Sequence, residues 1–176
     1  MDENDDVLVN QCKSGNEDAF RVLYERYFTP VYYYCLKFVK SKNEAEDIAQ
    51  EVFIKVFTSI NMYHGGNFRG WVFRIARNYI IDDYRKRSKV KNVSFDDVME
   101  PEEKHSLEEK LELKMDIDGL IESIEGLPEE CKEVMYLRFF QGLKYEEIAV
   151  ALDIPVGSVK THIHRGREKL LEALKE

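Results

Sequence analysis

The stretch from Val156 to Leu170, VGSVKTHIHRGREKL, sets Lys160, Arg165, Arg167 and Lys169 beside His162 and His164 within fifteen residues. Side chains of these types can bind phosphates and base edges, hold a metal ion, or move protons. Metal fails on spacing: two residues apart on a helix diverge by roughly 200°, so the two imidazoles cannot share one ion. Proton transfer lacks partners, because the chain offers no recognisable nucleophile–base set, no phosphate-cradling glycine loop and no paired acids in a cleft. No metal, no cofactor and no enzymatic activity are therefore expected. Nucleic-acid recognition remains.

On a helical wheel, Val159, Ile163, Gly166 and Leu170 form a buried stripe. Thr161 and His164 point away from it, flanked by Ser158, Lys160 and Arg165. That donor-rich face has about the width a major groove accepts, where cations meet phosphate or guanine and Thr161 meets a thymine methyl or a polar edge. A solvated basic helix has a similar composition. What favours a groove reader is the context: Tyr145–Leu152 reads as a short helix and DIPVG as a tight turn, so the whole is a helix-turn-helix. Ala149 and Gly166 are small enough for close packing. Upstream, Pro128 suits a helix start, with Glu129 and Glu130 near the positive end of its dipole, and Gly142 ends that helix.

The chain as a whole is acidic, with 176 residues, net charge -8 and pI about 5.2. The acid is concentrated in 92–126, which holds twelve acids against three bases, while both flanks are near neutral. Polyanion binding follows local field, so an acidic total does not exclude it. The segment NVSFDDVMEPEEKHS reads as a linker, with a helix resuming from Leu107 through Leu111, Ile117, Leu120, Ile121 and Ile124. No alternating pattern of a sheet is visible. The expected fold is all-α: an N-terminal helical bundle over 1–91, an acidic flexible linker over 92–118 and a C-terminal helix-turn-helix domain over 119–176. With no apolar run long enough to span a bilayer and an acidic start, MDENDD, a cytoplasmic protein without membrane insertion is expected. Cys12, Cys35 and Cys131 are too scattered for a disulfide frame and read as reduced core or boundary thiols.

In the N-terminal half, Ser14 and Glu17 have capping-box spacing ahead of Phe20, Leu23, Tyr24, Tyr27 and Phe28, and Pro30 is expected to kink or break that helix. A second cap, Ser41 with Glu44, opens a helix whose stripe is Ala45, Ala49, Val52, Val56 and Ile60, flanked by Ile48 and Phe53. Its opposite face carries Asp47, Gln50, Glu51 and Ile54, which suits either a solvated surface with one stray isoleucine or a docking surface with an apolar anchor. After the flexible loop NMYHGGNF comes a helix with Val72, Ile75, Ala76 and Tyr79 inward. Arg69, Arg74, Arg77, Arg85, Lys86 and Arg87 lie among Phe68, Trp71, Tyr79 and Tyr84. That pattern fits an ordinary amphipathic helix and equally a platform for single-stranded nucleic acid, where cations hold phosphates and rings stack on bases.

Three segments in order, EAEDIAQEVFIKVF, FRGWVFRIARNYIIDDYRKR and LPEECKEVMYLRFFQGLKYEEIAVALDIPVGSVKTHIHRGREKL, resemble the bacterial sigma factors of the extracytoplasmic function group. The likeness covers nearly all of the chain outside the linker. It implies a promoter-specificity subunit whose first domain binds core RNA polymerase and opens the minus-10 element, and whose second reads minus-35 DNA as duplex. By that resemblance Asp47, Gln50, Glu51 and Ile54 meet the polymerase. Asn61, Tyr63, Asn67 and Phe68 line a pocket for a flipped minus-10 base, joined by Trp71, Arg74, Arg77, Asn78 and Arg85 of the following helix. Ser158, Lys160, Thr161, His164 and Arg165 read minus-35. The resemblance also implies an anti-sigma factor as a partner. Two departures stand out: Lys144 where the family often has a capping Ser or Thr, and Asp153 where a turn glycine is common, although Asp tolerates the left-handed conformation. The competing readings are a LuxR-type helix-turn-helix regulator acting without polymerase, which shares the VKTH helix, and a helical adaptor that binds only proteins.

Overall fold

The computed structural model describes residues 4–39, 41–90 and 124–173, which fall into two compact units. The described residues are helical, with no strand among them. The linker 92–118 and the apolar residues from Leu107 to Ile121 lie outside the described residues.

The first unit contains α1 (Asp5–Lys13), α2 (Glu17–Leu36), α3 (Lys42–Ser59), a 3-10 turn over Ile60–Met62, and α4 (Phe68–Val90). Its core is built on α3, which packs against α2, α4 and the 3-10 turn. The stripe Ala45, Ala49, Val52, Val56 and Ile60 is buried as its spacing requires, and Ile48 and Phe53 are buried with it. Against it α2 presents Ala19, Leu23, Tyr27, Val31 and Tyr34, and α4 presents Phe68, Val72, Phe73 and Ala76. Each fully buried Val or Leu contributes about 1.5–3 kcal/mol. Ile75 and Tyr79, expected to face inward, are half-buried at the edge, and Phe73 takes the central place.

One expectation for α2 is corrected and one is narrowed. Its N-cap is Asn16, whose Oδ1 accepts the Ala19 N–H at 3.3 Å. Ser14 instead closes α1, where its hydroxyl donates to the Asn10 carbonyl at 3.0 Å. Both residue types cap well, and sequence spacing alone favoured the one with a glutamate three positions on. Pro30 lies inside α2 without ending it. The ring supplies no N–H, but Leu23 and Tyr27 before it and Val31 and Tyr34 after it are all anchored in the same core. Ser41 does cap α3, accepting from the Glu44 N–H at 3.5 Å.

The second unit contains α5 (Glu129–Phe139), α6 (Tyr145–Leu152) and α7 (Val156–Ala173), and a helical turn ending at Glu125 precedes them. Gly142 takes φ +63, which lets the chain turn from α5 toward α6. Lys144 gives α6 no side-chain acceptor, yet the Glu147 carboxylate reaches back to the Lys144 N–H at 2.6 Å and supplies half of a capping box. Between α6 and α7, Asp153 adopts φ 56, ψ 46, the left-handed geometry that the turn demands. Val134, Met135, Ile148, Val159 and Ile163 form the core. α7 crosses α5 at Gly166, where an added Cβ would lie 2.7 Å from Met135 Sδ. Gly166→Val should therefore destabilise this unit by about 1–3 kcal/mol through overpacking. A lowered midpoint in urea denaturation followed by circular dichroism would show it; an unchanged midpoint would mean that Met135 gives way without cost.

Candidate functional site

The exposed face of α7, expected to read DNA, is defined by what its other face buries. Val159 and Ile163 are buried, and Gly166 meets Met135. Lys160, Thr161, His164 and Arg165 are exposed on the far side, and Ser158 is half-buried at the edge. The Thr161 hydroxyl donates to the Gly157 carbonyl at 3.0 Å, which fixes its rotamer. His164 Nε2 lies 3.5 Å from a Glu168 oxygen one turn on. His162 faces the opposite way: its Nδ1 is 3.8 Å from the Cys131 sulfur on α5. No group of three or more His, Cys, Asp or Glu that could hold a metal occurs among the described residues. At the base of this unit, Arg138 donates to the Leu143 carbonyl at 2.9 Å and lies over the Tyr145 ring at 5.3 Å, tying the end of α5 to the start of α6. A cation five residues before a carbonyl carries no sequence signal for that tie.

On the first unit, Asp47, Gln50, Glu51 and Ile54 are all exposed on one face of α3. Ile54 is 55% exposed and Phe57, one turn on, is 50% exposed. Phe57 rests edge-to-face on Phe20 at 4.8 Å. It makes the apolar anchor a pair rather than one stray isoleucine, and its i+3 spacing from Ile54 was the signal that could have found it.

The loop from Asn61 to Phe68 divides into an exposed rim and a buried floor. Asn61, His64, Gly65 and Gly66 are exposed, and Met62 is 73% exposed. Tyr63 and Phe68 are 4% and 2% exposed. Their rings lie edge-to-face at 5.4 Å, Trp71 is within 5.6 Å of both, and Phe68 meets Tyr27 at 5.8 Å. Asn67 caps α4, its Oδ1 accepting the Gly70 N–H at 2.9 Å. So the structure brings Tyr63, Phe68 and Asn67 together as the framework of the loop, with Trp71 half-buried at its edge. Arg74, Asn78 and Arg85 follow Trp71 on the exposed side of α4, opposite Val72 and Ala76, with Arg77 half-buried beside them. Arg85 lies 3.8 Å from Asp82. At the far end of α4, Arg87 pairs with Glu44 of α3 and with Asp83 at 2.7 Å.

The anchoring of this loop by α1 had no counterpart in the sequence pattern. The Asp5 carboxylate accepts from Arg26 and from the Tyr27 hydroxyl. The Asp6 carboxylate accepts from the Tyr63 hydroxyl at 3.1 Å. Lys13 donates to the Tyr63 carbonyl. Burial, then the bond to the aspartate, pushes both phenols above the ordinary 10.0, and burial pushes the Cys35 thiol from 9.0 to about 12. A fold that holds an acid protonated has that contribution in full below the acid's ordinary pKa and loses it as pH rises through the higher value. Stability should thus hold up to about pH 9 and fall beyond it, first through Cys35 and then through the tyrosines, each adding at most about 1.4 kcal/mol per pH unit. Urea melts at intervals above neutrality test this: Tyr63→Phe should flatten the decline, and a slope identical to the parent chain would contradict it.

The two units coincide with two family models: residues 23–90 match sigma-70 region 2 and residues 117–170 match sigma-70, region 4. The chain is 33% identical to the RNA polymerase sigma-H factor of Pseudomonas aeruginosa over 98% of its own length and 94% of the relative's. It is 32% identical to the ECF RNA polymerase sigma factor SigW of Bacillus subtilis, over 96% and 95% of the two chains. With the ECF RNA polymerase sigma-E factor of Escherichia coli K12 it shares 33%, over 94% and 92%. Among solved structures, CnrH in complex with the cytosolic domain of CnrY superposes with a TM-score of 0.70 at 24% identity, over 97% of both chains. RpoE of Bartonella quintana, in complex with the anti-sigma factor NepR, gives 0.64 at 23%, over 89% and 96%. At these identities the two structures speak for the fold.

Proposed function

The chain belongs to the ECF RNA polymerase sigma factors, which direct core polymerase to promoters, and on that premise we propose how its surfaces divide the work. Residues 1–91 act as the region that binds polymerase and opens minus-10 DNA, 119–176 as the region that reads minus-35 DNA, and 92–118 as the acidic connection between them. The protein works by binding, without a catalytic step of its own, in the cytoplasm where its polymerase is. No described helix is long and apolar enough to cross a membrane. A LuxR-type regulator would leave the region 2 match without a role.

One observation carries this assignment of surfaces: the face of α7 opposite its buried stripe is exposed and rich in donors, on the span that matches region 4. Lys160 and Arg165 supply contacts to phosphate or guanine, and Thr161, its hydroxyl turned back to Gly157, presents its methyl to the groove. On α3, Asp47, Gln50, Glu51, Ile54 and Phe57 form the polymerase face, acidic residues around an apolar pair. At minus-10, the rim of the loop together with Trp71 receives an unpaired base, while Arg74, Arg77, Asn78 and Arg85 hold the strand's phosphates. The floor rings Tyr63 and Phe68 shape this pocket from beneath. CnrH was solved with the cytosolic domain of CnrY and RpoE with the anti-sigma factor NepR, and a partner of the anti-sigma kind is proposed here as well.

Reconstituted transcription with purified core polymerase and a genomic promoter library tests the whole. Specific initiation is expected, and its absence would return the chain to the adaptor or regulator reading. Asp47→Lys with Glu51→Lys should weaken assembly with polymerase by at least about tenfold, or about 1.4 kcal/mol, with helical content unchanged. Normal assembly would remove the polymerase from this face. Lys160→Ala or Arg165→Ala should cost about 1–3 kcal/mol on the preferred minus-35 sequence if the side chain reads a base edge. A loss equal on all sequences, with a flatter salt dependence, would assign that residue to phosphate.

A further inference from the structure

Two adjacent carboxylates at the start of α1 serve different masters. Asp5 turns to the scaffold, where Arg26 and Tyr27 of α2 donate to it. Asp6 turns to the loop, where it accepts from the Tyr63 hydroxyl at 3.1 Å. At the other end of the same helix, Lys13 donates to the Tyr63 carbonyl and lies 6.0 Å from the centre of the Tyr63 ring. One residue of the loop is thus held at both its side-chain tip and its backbone by a single helix. Tyr63 is the C-cap of the 3-10 turn, and the exposed His64, Gly65 and Gly66 follow it, the glycines at φ +93 and +102.

We propose that Asp6 and Lys13 are positioning residues for promoter opening, and that α1 is a brace that keeps the Asn61–Phe68 loop shaped for an unpaired base. This rests on the assignment of the loop to the minus-10 element. The physical logic is preorganisation. A loop that must be ordered when the base arrives costs conformational entropy at that moment, whereas a loop already gripped at Tyr63 has met that cost in folding. Neither residue touches DNA in this scheme. Both act through Tyr63, whose ring remains packed on Phe68 and Trp71. Asp5 is the internal contrast, because its hydrogen bonds go to Arg26 and Tyr27 of α2 and it reaches Tyr63 only through its charge.

The test uses holoenzyme assembled from core polymerase and the full chain, with permanganate reactivity of unpaired thymines read on duplex and pre-melted forms of a promoter the parent opens. Tyr63→Phe keeps the ring and removes only the hydroxyl, so it isolates the bond to Asp6; it should lower duplex opening roughly tenfold and opening of the pre-melted template less. Asp6→Ala should do the same, and the double variant should be no worse than either single one. Asp6→Asn, which retains an acceptor oxygen, should recover most of the loss. Losses that multiply in the double variant, equal losses on both templates, an Asp6→Asn variant as weak as Asp6→Ala, or undiminished opening would each overturn the proposal. Amide exchange on the free chain separates it from the assignment it rests on. Asp6→Ala, Tyr63→Phe and Lys13→Met should speed exchange in the loop and spare α3. Unchanged loop exchange overturns the brace whatever the transcription result, whereas faster loop exchange with normal opening in the parent alone leaves the brace standing and confirms its coupling to opening.

Discussion

Everything in the N-terminal unit depends on one constraint: α3 must spend one whole side on the core. Ala45, Ala49, Val52 and Val56 are fully buried, and the two alanines let neighbouring helices come close. Once that side is committed, the helix has no freedom about what it shows to solvent. Asp47, Gln50, Glu51 and Ile54 are outward because rotating them inward would strand carboxylates in an aromatic and aliphatic core, at a cost of several kcal/mol each. The same commitment fixes α4, whose Val72 and Ala76 fill the inner side and leave Arg74, Asn78 and Arg85 on the outer one. The outer faces proposed for recognition are the remainder after packing, placed by the same contacts that fill the core.

The C-terminal unit reaches the same end by a tighter geometry. Gly166 lets α7 lie directly on Met135, and the left-handed Asp153 sets where α7 begins. The exposed face of α7 is then aimed by contacts made on its hidden face and at its first turn. This separation allows the exposed residues to vary without disturbing the fold, since none of Lys160, His164 or Arg165 supports the core. It also explains why the two histidines of VKTHIHRG have different surroundings, with His162 against a buried sulfur and His164 beside a glutamate in solvent.

How much of this was legible in the sequence depended on the range of the interaction. Periodicity located the α3 stripe residue by residue and set the limits of α6, because both follow from spacing within a few turns. The Ser41 cap and the left-handed Asp153 were equally local. Asn16 over Ser14 was decided by where α1 stops, which no motif of α2 encodes. Pro30 does not break α2, whose core contacts lie on either side of it. Tyr63 and Phe68 were read as available rings because a glycine-flanked loop is ordinarily solvated. They are buried because Tyr27 on α2 and Trp71 on α4 close over them. The grip of Asp6 on Tyr63 spans 57 positions, and acidic residues at a chain start look like any solvated terminus. The sites themselves rested more on resemblance to a family than on pattern, since the α3 and α4 faces each suited a plain solvated surface as well.

The half-buried Trp71 gives the molecule a property separate from any of its contacts. It is the only tryptophan in the chain, and it lies at the edge of the loop against Tyr63 and Phe68. Excitation at the red edge of protein absorption therefore addresses a single indole, with the two neighbouring rings transparent. Its emission colour reports how wet that one position is, and its quenching reports whether another aromatic plane has stacked upon it. The protein carries its own optical label at the loop proposed to receive an unpaired base, with no dye and no substitution needed to watch it.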